Sequence, residues 1–180
     1  MTQAHWKHLL ERLQIDSDRN DIKPVDQLSL SKFESTSGLK LPFSFRSYCR
    51  VFGAGQIGNL FNIAVPGYSG GSLTYSVEYL SKSQIDLAYQ FAELGVDAAQ
   101  IKRSIFFSLD IIGSNHFFDP LEITNSIKNE YAVFTLFRSC EVQRSAENFQ
   151  EFLTEYCLGN KCSSLIKDIR IPDQVFRPVS

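Results

Sequence analysis

Apolar residues recur with the period of an α-helix in several parts of the chain. The clearest stripe is Phe45, Tyr48, Cys49 and Phe52, which fall at positions i, i+3, i+4 and i+7. Pro42 suits the first turn of this helix, because the N–H that proline lacks has no helical partner there. The same spacing predicts further helices over residues 3–14, 29–37, 83–94 and 146–158, the last with Ser145 as its N-cap.

Other segments alternate between apolar and polar residues, which is the pattern of β-strands. The predicted strands cover residues 57–65, a short segment with Tyr75, Val77 and Tyr79, and residues 105–111, 116–118 and 131–137. The sequence IGSN at 112–115 has the Gly, Ser and Asn of a hairpin turn. The strand at 131–137 pairs either with residues 140–143 or with this hairpin. Helices and strands in this order predict an α+β fold.

The glycines Gly53, Gly55 and Gly58 match the dinucleotide-binding pattern G-x-G-x-x-G, and Glu78 follows twenty residues after the last of them. That motif requires a strand before the glycines and a helix after them, so that helical N–H groups face the pyrophosphate. Here the aromatic helix precedes Gly53 and a strand follows Gly58. The glycines are therefore interpreted as an architectural joint, and no nucleotide cofactor is expected.

Composition indicates a water-soluble globular chain without a strong charge. The 180 residues fit one domain, and 15 Phe with 7 Tyr predict a core of aromatic rings. The net charge of -2 offers no electrostatic footprint for nucleic acid or an anionic membrane. The N-terminus lacks the pattern of a secretory signal, and no apolar run is long enough for a membrane span, so a cytoplasmic location is expected.

The cysteines and histidines predict no metal site. Cys49 and Cys157 lie on the apolar faces of two predicted helices, where a thiol usually packs as a small hydrophobe. Cys157 and Cys162 are five residues apart without a second pair or a nearby histidine, so the spacing does not favour zinc.

Several segments in order resemble the SUKH superfamily, which includes a fungal regulator of cell-wall assembly and many bacterial toxin-immunity proteins. A short helix with Phe33 and Glu34 leads through Gly38 and Leu39 to Leu41 and Pro42, and the helix FSFRSYCRVF then ends in FGAGQIG. The hairpin SLDIIGSNHFFD and the closing helix SAENFQEFLTEYCL also look like segments of that family. The residues that carry the structural motif are Leu41, Pro42, Phe45, Tyr48, Phe52, Gly53, Gly55 and Gly58.

The resemblance covers about residues 28–158 and implies a central, mostly antiparallel sheet flanked by helices. We expect a single SUKH-like domain over residues 1–159 and a C-terminal extension over 160–180, which either packs as extended chain or stays partly loose. The insertion PGYSGGSLTYSVEY and the connection ITNSIKNE are not in the family pattern. Any partner specificity in those two segments is therefore this chain's own.

Acidic residues and a histidine cluster around the hairpin, namely Asp110, His116, Asp119 and Glu122. Such groups can serve acid/base or metal chemistry, so a hydrolase is one interpretation. The favoured interpretation is structural: Asp110 lies near a strand end, Asp119 begins a turn with Pro120, and His116 lies on an exposed strand face. No histidine has the context of a Ser-His-Asp site, so the chain is predicted not to be an enzyme.

A protein that works by surface complementarity needs no catalytic constellation. By its resemblance to the SUKH superfamily, the chain is predicted to be a non-enzymatic immunity protein that binds and blocks a cognate toxin, with nucleases among the expected toxins. The alternative is a regulatory scaffold of the same fold that binds a cellular partner. The partner-binding candidates are Tyr68, Tyr75, Tyr79, Asn115, His116 and Asp119, because Tyr and mixed polar groups anchor interfaces. The three tyrosines fit the core equally well.

Overall fold

A computed structural model describes residues 3–17, 21–161 and 173–179. The helices are α1 Gln3–Arg12, α2 Gln27–Ser37, α3 Phe43–Cys49, α4 Val77–Asp86, α5 Ala88–Glu93, α6 Ala98–Arg103 and α7 Phe149–Glu151. A 3-10 turn at Leu73–Tyr75 precedes α4, and a π-helical segment at Phe152–Cys157 continues α7. The strands are β1 Gln14–Ile15, β2 Gly55–Ile57, β3 Phe61–Ile63, β4 Ile105–Asp110, β5 Asn115–Asn125, β6 Glu130–Leu136, β7 Val142–Ala146 and β8 Val175–Pro178.

The strands form one sheet in the order β1-β8-β2-β3-β4-β5-β6-β7. Every neighbouring pair is antiparallel except β1 and β8, which run parallel. β6 pairs with both the hairpin strand β5 and β7, so the two pairings considered from the sequence coexist. The predicted α+β fold with a mostly antiparallel sheet is confirmed.

Helices α1, α3 and α7 pack on one face of the sheet, which we call the inner face. Phe149 of α7 lies at the centre of this layer, with ring centroids 5.0 Å from Phe45, 5.1 Å from Tyr48 and 5.4 Å from Phe107. Trp6 of α1 joins the same cluster at 5.9 Å from Phe149. All these rings are fully buried, so the predicted aromatic core is confirmed. Pairs in this geometry contribute beyond the area that they bury.

The aromatic helix α3 ends as the glycine pattern predicts. Gly53 has φ +70°, a left-handed conformation that glycine adopts without strain, and its N–H donates to Cys49 O at 3.2 Å. A Cβ at this position would lie 2.0 Å from Lys23 O, so the chain also passes too closely for a side chain. β2 follows directly at Gly55. A helix precedes the glycines and a strand follows them, which is the reverse of the nucleotide-binding motif.

The segment from Tyr75 to Glu93 differs from its prediction. The strand expected to carry Tyr75, Val77 and Tyr79 is wrong, because α4 begins at Val77. Ser76 is the reason: its side chain accepts the N–H of Tyr79 and caps a helix that starts within the alternating pattern. The single helix expected over 83–94 is likewise two helices, α4 and α5.

The start of the last helix is also corrected. Ser145 lies in β7 and not at a helix N-cap, and Asn148 caps α7 by accepting the N–H of Glu151 at 3.0 Å. The Ser145 hydroxyl instead contacts the Thr135 hydroxyl across the sheet. Ser145 is therefore part of a strand because β7 pairs with β6, although the local sequence predicts a helix cap at this position.

Part of the predicted C-terminal extension belongs to the sheet. β8 lies between β1 and β2, with Val175 opposite Gln14 and Phe176 opposite Ile57. These residues pack as extended chain, one of the two alternatives expected for this segment. Residues 162–172 lie outside the described residues. They include Cys162, so the predicted absence of a zinc site at Cys157 and Cys162 falls outside them too. Cys49 and Cys140 carry free thiols, and Cys49 and Cys157 are buried.

Within residues 3–17, 21–161 and 173–179, no helix combines the length and the apolar character that crossing a bilayer requires.

Candidate partner-binding surface

The second, or outer, face of the sheet carries a row of four polar side chains and one leucine at one end. Strand register places Arg177 opposite Gln56, and Gln56 opposite Asn62. The row continues to Leu109 and Asn115, because Asn62 lies opposite Leu109 and Leu109 opposite Asn115. Residues directly opposite in neighbouring strands share a face. We call these five residues the outer row; Arg177 is exposed and the other four are half-buried.

Side-chain hydrogen bonds hold the first part of the outer row in a fixed arrangement. Arg177 Nη1 donates to Gln56 Oε1 at 3.4 Å, and Gln56 Nε2 donates to Asn62 Oδ1 at 3.1 Å. Arg177 Nε also donates to Asp16 Oδ2 at 2.9 Å. Asn62 Oδ1 accepts a second hydrogen bond, from the Tyr75 hydroxyl at 3.1 Å. The side chains are therefore ordered before any partner arrives, which reduces the entropy lost on binding.

Two of the predicted tyrosines border this row. The ring centroids of Tyr68 and Tyr75 are 5.9 Å apart, and both residues are half-buried. Burial raises the pKa of the Tyr75 hydroxyl and Tyr68 adds to the shift, while nearby Arg177 opposes it. The hydroxyl therefore stays protonated and can donate. Tyr79 lies in the first turn of α4 and is 45% exposed.

Asn115 closes the outer row with a free acceptor. Its Oδ1 atom is buried and has no hydrogen-bond partner among the described residues. A buried polar atom without a partner is unfavourable unless something supplies the hydrogen bond. Because this atom is buried, a molecule docked on the surface cannot reach it directly, and Asn115 marks the end of the outer row.

His116 lies on the opposite face from Asn115, and the expectation that it is exposed is wrong. Successive residues of a strand point to opposite faces, so His116 points inward and is fully buried between Phe61 and Phe152. Its Nδ1 lies 2.9 Å from Thr135 Oγ1. Its Nε2 lies 3.6 Å from Asp110 Oδ2, which is too long for a hydrogen bond. Burial lowers the His116 pKa, although Asp110 acts in the other direction.

Asp119 is also buried, because it anchors α6 to β5. Arg103 donates to both of its oxygens, from Nε at 2.8 Å and from Nη2 at 2.7 Å, and Gln100 Nε2 donates at 3.1 Å. Burial acts to raise the pKa of the carboxyl, but the bonds from Arg103 and from the Leu121 N–H outweigh burial and hold it below its usual value. Asp119 is thus occupied within the fold and is not presented to a partner.

The acidic residues expected to cluster around the hairpin do not form one site. Asp110 and His116 share the inner face, whereas strand alternation puts Asp119 on the outer face, and Glu122 is exposed. Asp110 Oδ1 accepts the N–H groups of Ile112 and Ser114 and so shapes the turn. No group of three His, Cys, Asp or Glu side chains in the described part of the chain is arranged to hold a metal ion.

Sequence reasoning missed four members of the outer row, namely Arg177, Gln56, Asn62 and Leu109. A signal was present for two of them, because each is the single polar residue in a short strand, GQI and FNI. A polar residue between two buried ones marks the solvent side of a sheet. No comparable signal in the sequence marks Arg177, because its position on the sheet depends on the pairing of β8 with β2.

Comparison with known proteins adds no family assignment: no family model matches the chain, and no match was found among curated proteins.

Proposed function

We propose that this chain is a non-enzymatic binding protein of the SUKH type that acts in the cytoplasm and neutralises a toxin by direct contact. The observation that carries the proposal is the outer row, in which hydrogen bonds join Arg177, Gln56 and Asn62 although these side chains stay exposed or half-buried. The resemblance of residues 28–158 to immunity proteins supports the choice of a toxin as the partner.

The chemistry of the outer row suits protein recognition. Arg177 and the bordering Tyr68 and Tyr75 belong to the residue types that dominate binding energy at interfaces. Arg177 is exposed, so its guanidinium donors are open to a partner. By contrast, the groups that suggested hydrolysis, His116 and Asp119, are engaged inside the fold.

The proposed mechanism is occlusion. A toxin that lies across the outer row has its active site or its substrate-binding surface covered, and no covalent step is required. The partner accepts hydrogen bonds from Arg177 and stacks against Tyr68 and Tyr75. The binding energy then comes from contacts that the isolated protein leaves partly open to solvent.

The test is co-expression with the candidate toxin encoded by the neighbouring gene, scored by rescue of growth and by isolation of the complex. We expect rescue by the natural chain. Arg177→Ala and Tyr75→Ala should each weaken the affinity measured by calorimetry by roughly tenfold or more. Arg12→Ala, which removes an exposed arginine from α1, is the matched control and should bind like the natural chain. The proposal fails if the natural chain neither rescues growth nor forms a complex.

A further inference from the structure

A second surface feature, which we call the basic groove, lies between the α2–α3 connection and the β5–β6 turn. Its volume is about 670 Å³. The residues that matter here are Lys40, Phe43, Arg46, Arg50, Ile127 and Lys128. The last two belong to ITNSIKNE, the connection that departs from the SUKH pattern.

The charges of the basic groove are not balanced within the protein. Glu34 is the one carboxylate that lines it, with Arg46 Nη1 at 2.6 Å and Lys40 Nζ at 3.7 Å. Arg50 and Lys128 are exposed, and no carboxylate lies within 4.0 Å of either side chain in the described ranges. The groove therefore concentrates positive charge on a chain whose net charge is -2. Its two uncompensated cations can pair with an incoming anion.

Apolar side chains accompany these cations. Ile127 is 95% exposed at the tip of the β5–β6 turn, and Phe43 is 41% exposed at the start of α3. Exposed apolar residues rimmed by charged groups are typical of sites that meet another protein. The combination favours a partner segment that carries both carboxylates and an apolar side chain.

Hydrogen bonds hold the two walls of the basic groove together. Asn129, at φ +51°, donates from Nδ2 to Leu41 O at 3.3 Å, which ties the turn to the α2–α3 connection. The buried Glu130 carboxylate accepts the Ser44 N–H at 2.9 Å and the Ser44 hydroxyl at 2.6 Å. The groove is therefore formed before a partner binds, which favours recognition of a defined segment.

We infer that the basic groove binds an acidic segment of the toxin, separate from the surface that meets the outer row. Carboxylates of that segment pair with Arg50 and Lys128, and an apolar side chain between them packs on Ile127 and Phe43. The inference rests on the proposed function, because it assigns the groove to the same partner. A single-stranded nucleic acid is the competing ligand. The apolar rim and the negative net charge of the chain favour protein.

The first arm of the test does not need the toxin. Fluorescence anisotropy measures binding of a labelled peptide Glu-Asp-Leu-Glu-Asp, its neutral analogue Gln-Asn-Leu-Gln-Asn, and a short oligodeoxythymidylate. We expect saturable binding of the acidic peptide alone, weakened roughly tenfold or more by Arg50→Glu with Lys128→Glu. The control Lys7→Glu with Arg12→Glu reverses two exposed charges on α1, outside the groove, and should change affinity by less than about twofold.

The inference is overturned if the acidic peptide does not bind, if both double variants lose binding equally, or if the oligonucleotide binds more tightly at the same residues. The second arm repeats the comparison with the co-expressed toxin, where the Arg50 and Lys128 reversal alone should weaken the complex. Failure of the natural chain to rescue growth counts against the proposed function. The peptide measurement then decides by itself whether the basic groove binds acidic segments. If the natural chain rescues growth but both double variants bind the toxin with equal affinity, the inference about the basic groove is overturned and the proposed function stands.

Discussion

The two faces of the sheet carry polar side chains of similar kinds but use them in opposite ways. Asn115 and His116 are neighbours in β5, yet alternation sends one to each face. On the inner face, His116 is enclosed by aromatic rings and bonded to Thr135. On the outer face, Asn62 and Gln56 bond to each other but stay half-buried.

This difference between the faces distinguishes polar side chains that serve the stability of the fold from those that can serve binding. A polar group sealed on the inner face must find its partner inside the protein, because water cannot reach it and an unmade bond is costly. A half-buried group on the outer face can exchange its partners with water or with another protein. Residue type alone therefore does not identify the functional side chains. The face narrows the choice, and burial decides it, because Asp119 lies on the outer face but is buried and bonded to Arg103.

The strongest way to break the inner face is to remove its central ring. Phe149→Ala should lower the free energy of unfolding by about 3–5 kcal/mol, because the cavity is enclosed by other rings that cannot close around it. Phe134→Ala is the comparison, since Phe134 is half-buried and stacks on Phe117 at 5.6 Å. Urea unfolding should show a smaller loss for Phe134, and equal losses would contradict the division between the faces.

The joint between the helix layer and the sheet can be tested at two glycines that share a left-handed conformation. Gly38→Ala should cost about 1 kcal/mol, because φ is +71° and no atom lies within 4 Å of a new Cβ. Gly53→Ala should cost roughly 1–3 kcal/mol more, since its Cβ would meet the backbone at Lys23, and Gly53→Val should cost more again. Denaturant midpoints check the order. Equal losses of stability at Gly38 and Gly53 would show that the left-handed φ, and not the contact with Lys23, causes the loss.

The enclosure of His116 predicts how stability depends on pH. Burial lowers the folded pKa below its ordinary 6.5, so the unfolded chain binds the proton more tightly and acidification favours unfolding. Stability should therefore fall below pH 6.5, by up to about 1.4 kcal/mol per pH unit.

Urea unfolding between pH 7.5 and 5.5 measures this slope. His116→Gln should reduce the slope without abolishing it, since burial also lowers the pKa of His5. An unchanged slope in His116→Gln would show that His116 does not take up the proton on unfolding.

The smallest effect on stability is expected on the outer face. Tyr75→Phe removes one half-buried hydrogen bond to Asn62, so it should lower the free energy of unfolding by less than about 1 kcal/mol. The same change should weaken toxin binding measured by calorimetry, because the ordered donor is lost. A large loss of stability with unchanged binding would place Tyr75 among the structural residues.

Local signals in the sequence were sufficient for the elements whose contacts are local. The stripe of α3, the turn at Gly53 that follows it and the hairpin between β4 and β5 all depend on residues a few positions apart. β8 was not predictable in this way, because Val175 pairs with Gln14 from the other end of the chain. Ser145 shows the same limit, since its contact with Thr135 decides its conformation.

The candidate surface was predictable only in part, for the same reason. Tyr75 was selected by residue type, and the structure places it against Asn62. Arg177, Gln56 and Asn62 come from three strands, and only sheet register brings them together. His116 was assigned to the wrong face because the strand's alternation gives the two faces but not which one α1, α3 and α7 cover.

The place of β8 has a consequence for synthesis on the ribosome. β1 contacts the rest of the sheet through β8, and Asp16 and Arg177, which join the two strands, are 161 residues apart. A growing chain therefore carries β1 without a partner, and β2 with one uncovered edge, until residues 175–178 have left the exit tunnel. Unpaired edges of this kind promote association between chains during translation. The edges of β1 and β2 are therefore most exposed to such association in the interval before β8 docks.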